Sequence, residues 1–415
     1  MVWAYAFNHE ESVRCFERAL ALDPDLAIAR WGIAYAVGPN YNKAWEAFDP
    51  VDLAASLARA RAELSIADGN RASAVERGLI EALRARFPTD DPADSEALTA
   101  GHERYADAMV ALGQAYPDDV DVQALVADAL LNVTAWALWD TATGEPAPGS
   151  RVMEAKQVLD AALTSGAGRN HPGVLHLYLH AMEMSATPQD ALPAADLLRG
   201  LVPDAGHLQH MPSHIDVLCG DYRSSVIANT VAVQADRRFV EREGPLNFYS
   251  LYRAHDLHFV VYSAMFEARY STAIAAAEEL AAQLTPELLS IDSPPMADWL
   301  EAFAPLRIHV LVRFGRWDEL IAEPLPEDAE LYCTTAATVH YGRGIAYAVT
   351  GNLAQARAER EAFTIVYGTI PESRYLFNNT SRDILDVAAA MPDGDLAYWE
   401  GRVEEALTAL RRGAA

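Results

Sequence analysis

The sequence predicts an all-α protein in which successive helical hairpins stack into an α-solenoid. Three observations support this prediction. Alanine and leucine recur throughout the 415 residues, whereas runs rich in valine, isoleucine and threonine are scarce, which favours helices over strands. A short phrase with a small residue before an apolar, alanine-containing run recurs along the chain. A proline marks the junction between two further predicted helices.

The recurring phrase consists of a small residue, two residues that often include an aromatic one, and an apolar run. Small residues let the two helices of a hairpin approach closely, and each hairpin then buries its remaining apolar face against its neighbours. No single copy is specific, but the copies together are typical of a repeat protein. The copies begin at Gly220, Ala268, Gly315, Gly351 and Gly401.

A second phrase, residues 19–38, contains Asp23-Pro24. Proline disfavours a helix in the residue before it and is tolerated in a first turn, so we expect one helix to end and another to begin there. Residues 141–150, residues 241–247 and the segment around residues 293–295 are expected to be irregular insertions. We expect a single domain spanning residues 1–415. The alternative is an irregular helical bundle.

The chain is strongly acidic, with a formal net charge of −27 at pH 7. Such a chain repels phosphate backbones, so nucleic acid is not expected as a partner.

No segment approaches the roughly 18 apolar residues of a membrane span, so no membrane association is expected. The three cysteines form no CxxC pair and predict no disulfide framework. Without a basic region at the N-terminus we expect no signal peptide and a cytoplasmic protein; a truncated start that hides an export signal is the alternative.

Histidines are concentrated in one segment of the chain. Residues 171–258 hold eight of the 12 histidines, where an even distribution would place about two or three. This segment is therefore the first place to look for a functional site. The eight are His171, His176, His180, His207, His210, His214, His255 and His258.

The spacing of these histidines is more specific than their number. His176 and His180 are four residues apart and share a helix face, and Glu183 follows on the same stripe. His210 and His214 have the same spacing and lie 34 residues further on, which is one repeat of the helical-hairpin type. Because equivalent positions of successive repeats lie side by side, both pairs should project onto one surface.

Imidazoles from neighbouring helices are suited to transition metals. A single pair of histidines four residues apart would more often be hydrogen-bonded in the core or line a groove that binds peptide. Two such pairs separated by one repeat favour a metal site. We expect one or two ions of copper, zinc or iron. Pro212 must lie in the first turn of its helix or kink it, and a His210 that precedes this helix would point differently from His176. The candidate ligands are His176, His180, Glu183, His210, His214 and His258.

The function expected from these residues is that of a metal-dependent enzyme, an oxidase or oxygenase or a hydrolase, acting on a small molecule at a histidine-rich groove. Glu183 and His255 are the candidate acid–base residues. No other catalytic fingerprint is present in the sequence. The alternative is a scaffold that binds a protein partner, with structural or metal-binding histidines. The lack of a basic cluster near the histidines disfavours a groove for acidic peptides.

Several segments together resemble a bacterial family of tetratricopeptide repeat proteins, and more distantly tetratricopeptide repeat protein 38 of animals. The resemblance implies a right-handed α-solenoid of degenerate tetratricopeptide-like hairpins, and it implies that the histidine-bearing segments belong to the family pattern. It implies no particular activity. Members of the family more often carry asparagine where this chain has Asp256. The similar segments are residues 5–42, 171–183, 205–215, 253–270 and 311–320.

Overall fold

A computed structural model describes residues 1–67 and 71–414 of the chain. The protein is all-α, with 71% of the chain in helices that pack as adjacent pairs. Two short strands, β1 (Tyr375–Leu376) and β2 (Asn379–Thr380), pair antiparallel. Contacts between residues divide the chain into two compact units, Met1–Arg242 and Glu243–Ala415. That residues 1–415 form one domain remains a prediction.

The first unit contains thirteen α-helices among its described residues, the last of which ends at Glu243. They are α1 (Val2–Tyr5), α2 (His9–Leu22), α3 (Ala27–Val37), α4 (Pro50–Ile66), α5 (Ala74–Arg86), α6 (Ser95–Ala115), α7 (Val120–Leu131), α8 (Val152–Leu163), α9 (Pro172–Glu183), α10 (Leu192–Leu198), α11 (Gly206–His210), α12 (Pro212–Leu218) and α13 (Tyr222–Glu243). Short 3-10 helices lie at Trp45–Ala47, Asn132–Thr134, Gly168–Asn170 and Pro188–Ala191.

The second unit is also helical, apart from the small β-hairpin. Its helices are α14 (Ser250–Phe266), α15 (Tyr270–Gln283), α16 (Pro286–Leu289), α17 (Met296–Leu300), α18 (Leu306–Arg313), α19 (Trp317–Ala322), α20 (Cys333–Val349), α21 (Leu353–Tyr367), α22 (Ser381–Trp399) and α23 (Val403–Ala414), with a 3-10 helix at Glu301–Phe303.

Helices that follow one another in sequence pack against each other, as the repeat phrases predict. The pairs α2 with α3 and α5 with α6 lie in the first unit, and α14 with α15, α20 with α21 and α22 with α23 lie in the second. The predicted junction at Asp23-Pro24 is confirmed, because α2 ends at Leu22 and α3 begins at Ala27. Residues 141–150 are non-helical, also as predicted. The insertion expected at residues 241–247 is shorter than predicted, because α13 continues to Glu243.

All five copies of the recurring phrase form the same turn between two helices. The small residue has a positive φ, between 55° and 85°, which satisfies the left-handed position at the end of a helix. The N–H of the following residue then donates to the carbonyl five residues earlier, at 2.8–2.9 Å, which closes a Schellman motif. These five donor–acceptor pairs are Asp221 with Asp216, Arg269 with Ala264, Arg316 with Leu311, Asn352 with Tyr347, and Arg402 with Ala397.

Helix α9 is enclosed by the rest of the first unit. It contacts α1, α7, α8, α10 and α12, and every residue from Gly173 to Glu183 is buried. A helix buried on all sides is expected to be apolar all round, yet this one carries His176, His180 and Glu183. Buried polar groups are costly unless they find partners, so the surrounding helices must supply them.

Among the described residues, no helix has the length and apolar character needed to cross a membrane. The three cysteines, Cys15, Cys219 and Cys333, are free thiols.

Candidate metal centre

Three histidines of the first unit form a group that could hold a metal ion. His176 and His180 come from α9 and His207 from α11, and all three side chains are at most 1% exposed. One ring nitrogen from each lies within 4.8 Å of the other two. Zinc and copper bind imidazole nitrogen at about 2.0 Å, so the three nitrogens would move closer together on binding one ion.

The carbonyl of Tyr5 determines the orientation of His176. Nδ1 of His176 lies 2.6 Å from this oxygen, which can only accept, so Nδ1 carries the proton and Nε2 carries the lone pair. Tyr5 can approach α9 because residue 173 is glycine: a Cβ there would lie 2.6 Å from the Tyr5 ring. The hydroxyl of Tyr5 donates to Asp121 at 2.5 Å, which holds the other end of the side chain.

Glu183 links two imidazoles that come from different helices. One carboxylate oxygen accepts from Nδ1 of His180 and the other from Nδ1 of His214, each at 2.6 Å. Burial alone would raise the pKa of Glu183, but the two histidines outweigh burial and hold that pKa well below its usual range. With both oxygens occupied by N–H donors, Glu183 orients the two rings, as carboxylates that hold metal-bound histidines do.

His210 is oriented in the same way by an amide. Its Nδ1 lies 2.6 Å from Oδ1 of Asn229, and the amide group of Asn229 is itself oriented because Nδ2 donates to the carbonyl of Ser225 at 2.8 Å. Nε2 of His210 lies 2.8 Å from Nε2 of His214. Pro212 starts α12 and His210 ends α11, so His210 precedes the proline-initiated helix, one of the two arrangements that the sequence allowed.

Phe7 covers the three-histidine group. Its ring centroid lies 4.5 Å from that of His176, 5.5 Å from that of His180 and 5.6 Å from that of His207. Phe7 itself is 3% exposed and has φ of +54°, a left-handed conformation that is strained for a bulky residue. Such strain is found where the surrounding structure needs a side chain in one place. Here it places an aromatic ring against the imidazoles.

Burial also controls the charge of the candidate ligands. Burial lowers the pKa of His176 well below its ordinary value, with a further lowering from His180. Burial lowers the pKa of His210 in the same direction, with a further lowering from His214. Both rings are therefore neutral at pH 7, which is the form that binds a metal ion.

The structure places the remaining predicted residues as follows. His255 and His258 lie on α14 in the second unit, half-buried, and their ring neighbours include Phe259 and Phe377. Burial lowers the pKa of His258 to about 4. Ligation by His258 and an acid–base role for His255 remain predictions. His171 caps α9, since its Nδ1 accepts from the N–H of Val174 at 3.2 Å.

Sequence reasoning did not select His207, Phe7 or the Tyr5 carbonyl. His207 precedes His210 by three residues, which places both on one side of a helical turn, and this spacing was an available signal. Phe7 and Tyr5 come from the far end of the sequence, 171 residues from His176 in the case of Tyr5. A contact of that separation leaves no signal in local spacing.

Comparisons with known proteins identify no relative. No model of a known protein family matches the chain, and no curated protein matches it. The resemblance to tetratricopeptide repeat proteins therefore remains an expectation of the sequence, while the paired helices and the buried histidine group are features of the structure.

Proposed function

We propose that the protein is a metal-dependent enzyme that acts on a small molecule, with a transition-metal ion bound by His176, His180 and His207. One observation supports this most directly: His176 and His180 each donate from Nδ1 to a protein oxygen, and their buried Nε2 atoms have no hydrogen-bond partner among the described residues. A buried acceptor without a partner is costly, and a metal ion would satisfy both atoms.

The donor set supports particular metals and reactions. Three imidazole nitrogens suit copper and zinc better than hard cations, and three protein ligands leave a coordination position for water or substrate. With copper, the open position supports oxidase or oxygenase chemistry. With zinc it supports hydrolysis by a metal-activated water.

A second ion would fit between His210 and His214. Two ligand nitrogens 2.8 Å apart subtend about 90° at an ion with bonds of about 2.0 Å, an angle found in square-planar and octahedral sites. Iron therefore remains a candidate here beside copper and zinc. Glu183 would connect the two sites, because it holds one imidazole of each.

The paired helices support a solenoid of degenerate tetratricopeptide-like hairpins with a right-handed superhelix, which we propose as the scaffold of the site. We further propose a cytoplasmic location, from the small number of cysteines and the lack of a CxxC pair. The competing function is a scaffold for a protein partner, in which the histidines are structural.

Metal analysis tests the proposal. The purified protein, reconstituted in turn with copper, zinc and iron(II) and then desalted, should retain close to one ion or more per chain. His180→Ala and His207→Ala should each lower retention strongly. His340→Ala is the matched control, because His340 is a half-buried histidine whose Nδ1 lies 2.6 Å from Glu359 in the second unit. Retention by less than about a tenth of the chains would refute the metal proposal and favour the scaffold, because a preorganised buried site should bind tightly.

A further inference from the structure

The first unit contains a buried arginine that is not part of the three-histidine group. Arg86 is the last residue of α5 and is 0% exposed. It is enclosed because α6 packs closely on the end of α5: a Cβ at Gly101 would lie 2.8 Å from the Arg86 carbonyl. Its Nε, Nη1 and Nη2 atoms make no hydrogen bond to any described residue. An arginine cannot shed its charge by losing a proton, so an unpaired guanidinium in the interior is very costly.

Three further buried side chains carry unpartnered polar atoms: Tyr105 contacts the guanidinium, His102 is affected by its charge, and Trp45 packs against His102. The Arg86 guanidinium carbon lies 5.0 Å from the ring centroid of Tyr105, and the ring centroids of His102 and Trp45 are 5.7 Å apart. Burial and then the charge of Arg86 lower the pKa of His102 well below its ordinary value, so its ring is neutral. Oη of Tyr105, Nδ1 of His102 and Nε1 of Trp45 are buried without a hydrogen-bond partner among the described residues. A hydroxyl, a neutral imidazole and an indole can all donate hydrogen bonds.

No acidic side chain among the described residues of this unit pairs with the guanidinium. Asp128 is buried, and burial raises its pKa. The positive charge of Arg86 lowers the pKa of Asp128, but burial has the larger effect. However, Oδ2 of Asp128 accepts from Oη of Tyr35 at 2.9 Å and Oδ1 accepts from Nδ2 of Asn132 at 3.0 Å. Asp128 makes no hydrogen bond to Arg86. The N–H donors of the guanidinium can therefore bind another acceptor.

We propose that Arg86, with Tyr105, His102 and Trp45 beside it, forms a buried binding site for the carboxylate group of a small molecule. A guanidinium presents its donors in a planar fork that matches the two oxygens of a carboxylate. One carboxylate neutralises the single positive charge. A phosphate dianion would leave excess negative charge beside Asp128, and such charge is costly in the interior. Aromatic faces suit the apolar remainder of an organic acid.

Aromatic rings connect this site with the histidine group. Tyr35, which donates to Asp128, has its ring centroid 5.9 Å from that of His9, and His9 lies 6.4 Å from Phe7 by the same measure. Phe7 packs on the three histidines. If the metal enzyme proposal is right, the carboxylate belongs to the substrate and Arg86 anchors it. This role rests on the proposed function, whereas carboxylate binding at Arg86 does not.

Acetate is a direct probe of the site. The purified protein would be titrated with 13C-labelled sodium acetate at constant ionic strength, with binding followed by NMR, before and after removal of metal by a chelator. We expect saturable binding in both forms. Arg86→Lys keeps the charge but loses the fork, and should weaken binding about tenfold or more, since hydrogen bonds to charged groups are the strong ones. Arg84→Gln is the control, because Arg84 lies on the same helix with its side chain 47% exposed, and should bind like the wild type.

A second variant keeps the test decisive if Arg86→Lys does not fold. Tyr105→Phe removes one donor and preserves the ring, and should weaken acetate binding several-fold. Absence of saturable binding by the wild type would overturn the proposal, as would inorganic phosphate that binds as tightly as acetate. Acetate that binds only to the metal-loaded form would belong to the metal and would also overturn it. Acetate binding by a protein that retains no metal would leave the carboxylate site standing and refute the metal function alone.

Discussion

The Nε2 atoms of His210 and His214 lie 2.8 Å apart, with the Nδ1 atom of each ring hydrogen-bonded to a side-chain oxygen. If both rings are neutral, the proton on each Nδ1 leaves a lone pair on each Nε2, and two lone pairs then face each other. A shared proton or a metal ion would relieve that repulsion. This relationship, together with the three neighbouring ring nitrogens of His176, His180 and His207, supports the proposal that the first unit binds metal.

Replacing Glu183 by glutamine should impair metal binding without removing any proposed ligand. A glutamine offers one acceptor oxygen and one donor amide, so His180 and His214 cannot both keep the proton on Nδ1. One of the two rings must then carry a proton on Nε2. We expect a ten- to hundredfold loss of affinity, roughly the cost of losing a partner that orients a ligand. Competition with a chelator of known affinity measures it.

The matched control for this change is Glu359→Gln. Glu359 accepts from Nδ1 of His340 at 2.6 Å, the same contact in the second unit. We expect this variant to bind metal like the wild type. Equal affinity of the Glu183→Gln and wild-type proteins would show that the tautomers of His180 and His214 do not matter, and would contradict the proposed centre.

Gly173→Ala should also weaken metal binding, although residue 173 is not a proposed ligand. The added Cβ would meet the ring of Tyr5 at 2.6 Å, and Tyr5 is held by its bond to Asp121. The chain at Tyr5 must therefore shift, and with it the carbonyl that orients His176. Affinity should fall about tenfold. Gly166→Ala, at a glycine with open space around it, is the control; comparable losses in both variants would refute this explanation.

Two alanine-to-glycine changes in the second unit should alter stability in opposite directions. Ala268 occupies the left-handed turn between α14 and α15 with φ of +55°, so Ala268→Gly should stabilise the protein by about 0.5–1 kcal/mol. Ala275 is exposed in the middle of α15, so Ala275→Gly should destabilise it by about 1 kcal/mol. Both changes replace alanine by glycine and so affect the unfolded chain alike. The difference between the two variants in the free energy of unfolding, measured by urea denaturation, therefore reports the effect of φ. Equal signs would contradict the turn assignment.

Stability should fall as the pH is lowered from about 6.5 towards 4. Burial lowers the pKa of His9 to about 4, below that of the unfolded chain, with smaller contributions from the charges of Arg86 and Lys43. In this range the unfolded state binds more protons than the folded state, so acid favours unfolding. His9 should account for roughly 2 kcal/mol of the difference between pH 7 and pH 5.

The contribution of His9 can be isolated by comparing the wild type with His9→Asn, which retains a donor for the Ala36 carbonyl that His9 contacts at 2.8 Å. Other buried histidines titrate in both proteins, so the difference in slope of unfolding free energy against pH belongs to His9. Parallel slopes for the two proteins between pH 5 and pH 7 would show that the pKa of His9 is not lowered by folding.

Local spacing in the sequence was sufficient to predict an all-α chain and the turns at the repeat phrases. The small residue of each repeat phrase, from Gly220 to Gly401, forms the predicted turn, because a left-handed φ is a local requirement. The four-residue spacing of His176 and His180 likewise predicted one face of α9, because a helix places such residues together wherever it lies. Neither prediction depends on contacts with distant parts of the chain.

The candidate metal centre depends on contacts that spacing cannot reveal. The sequence by itself determined that the chain is helical, where the five repeat phrases turn, and that two histidine pairs recur 34 residues apart. The tertiary structure alone decided that His207 joins the pair on α9, that Phe7 covers the group and that the Tyr5 carbonyl orients His176. The physical reason is that helix formation follows short-range propensity and periodicity, whereas the orientation of a buried imidazole depends on an acceptor supplied by whichever segment packs against it.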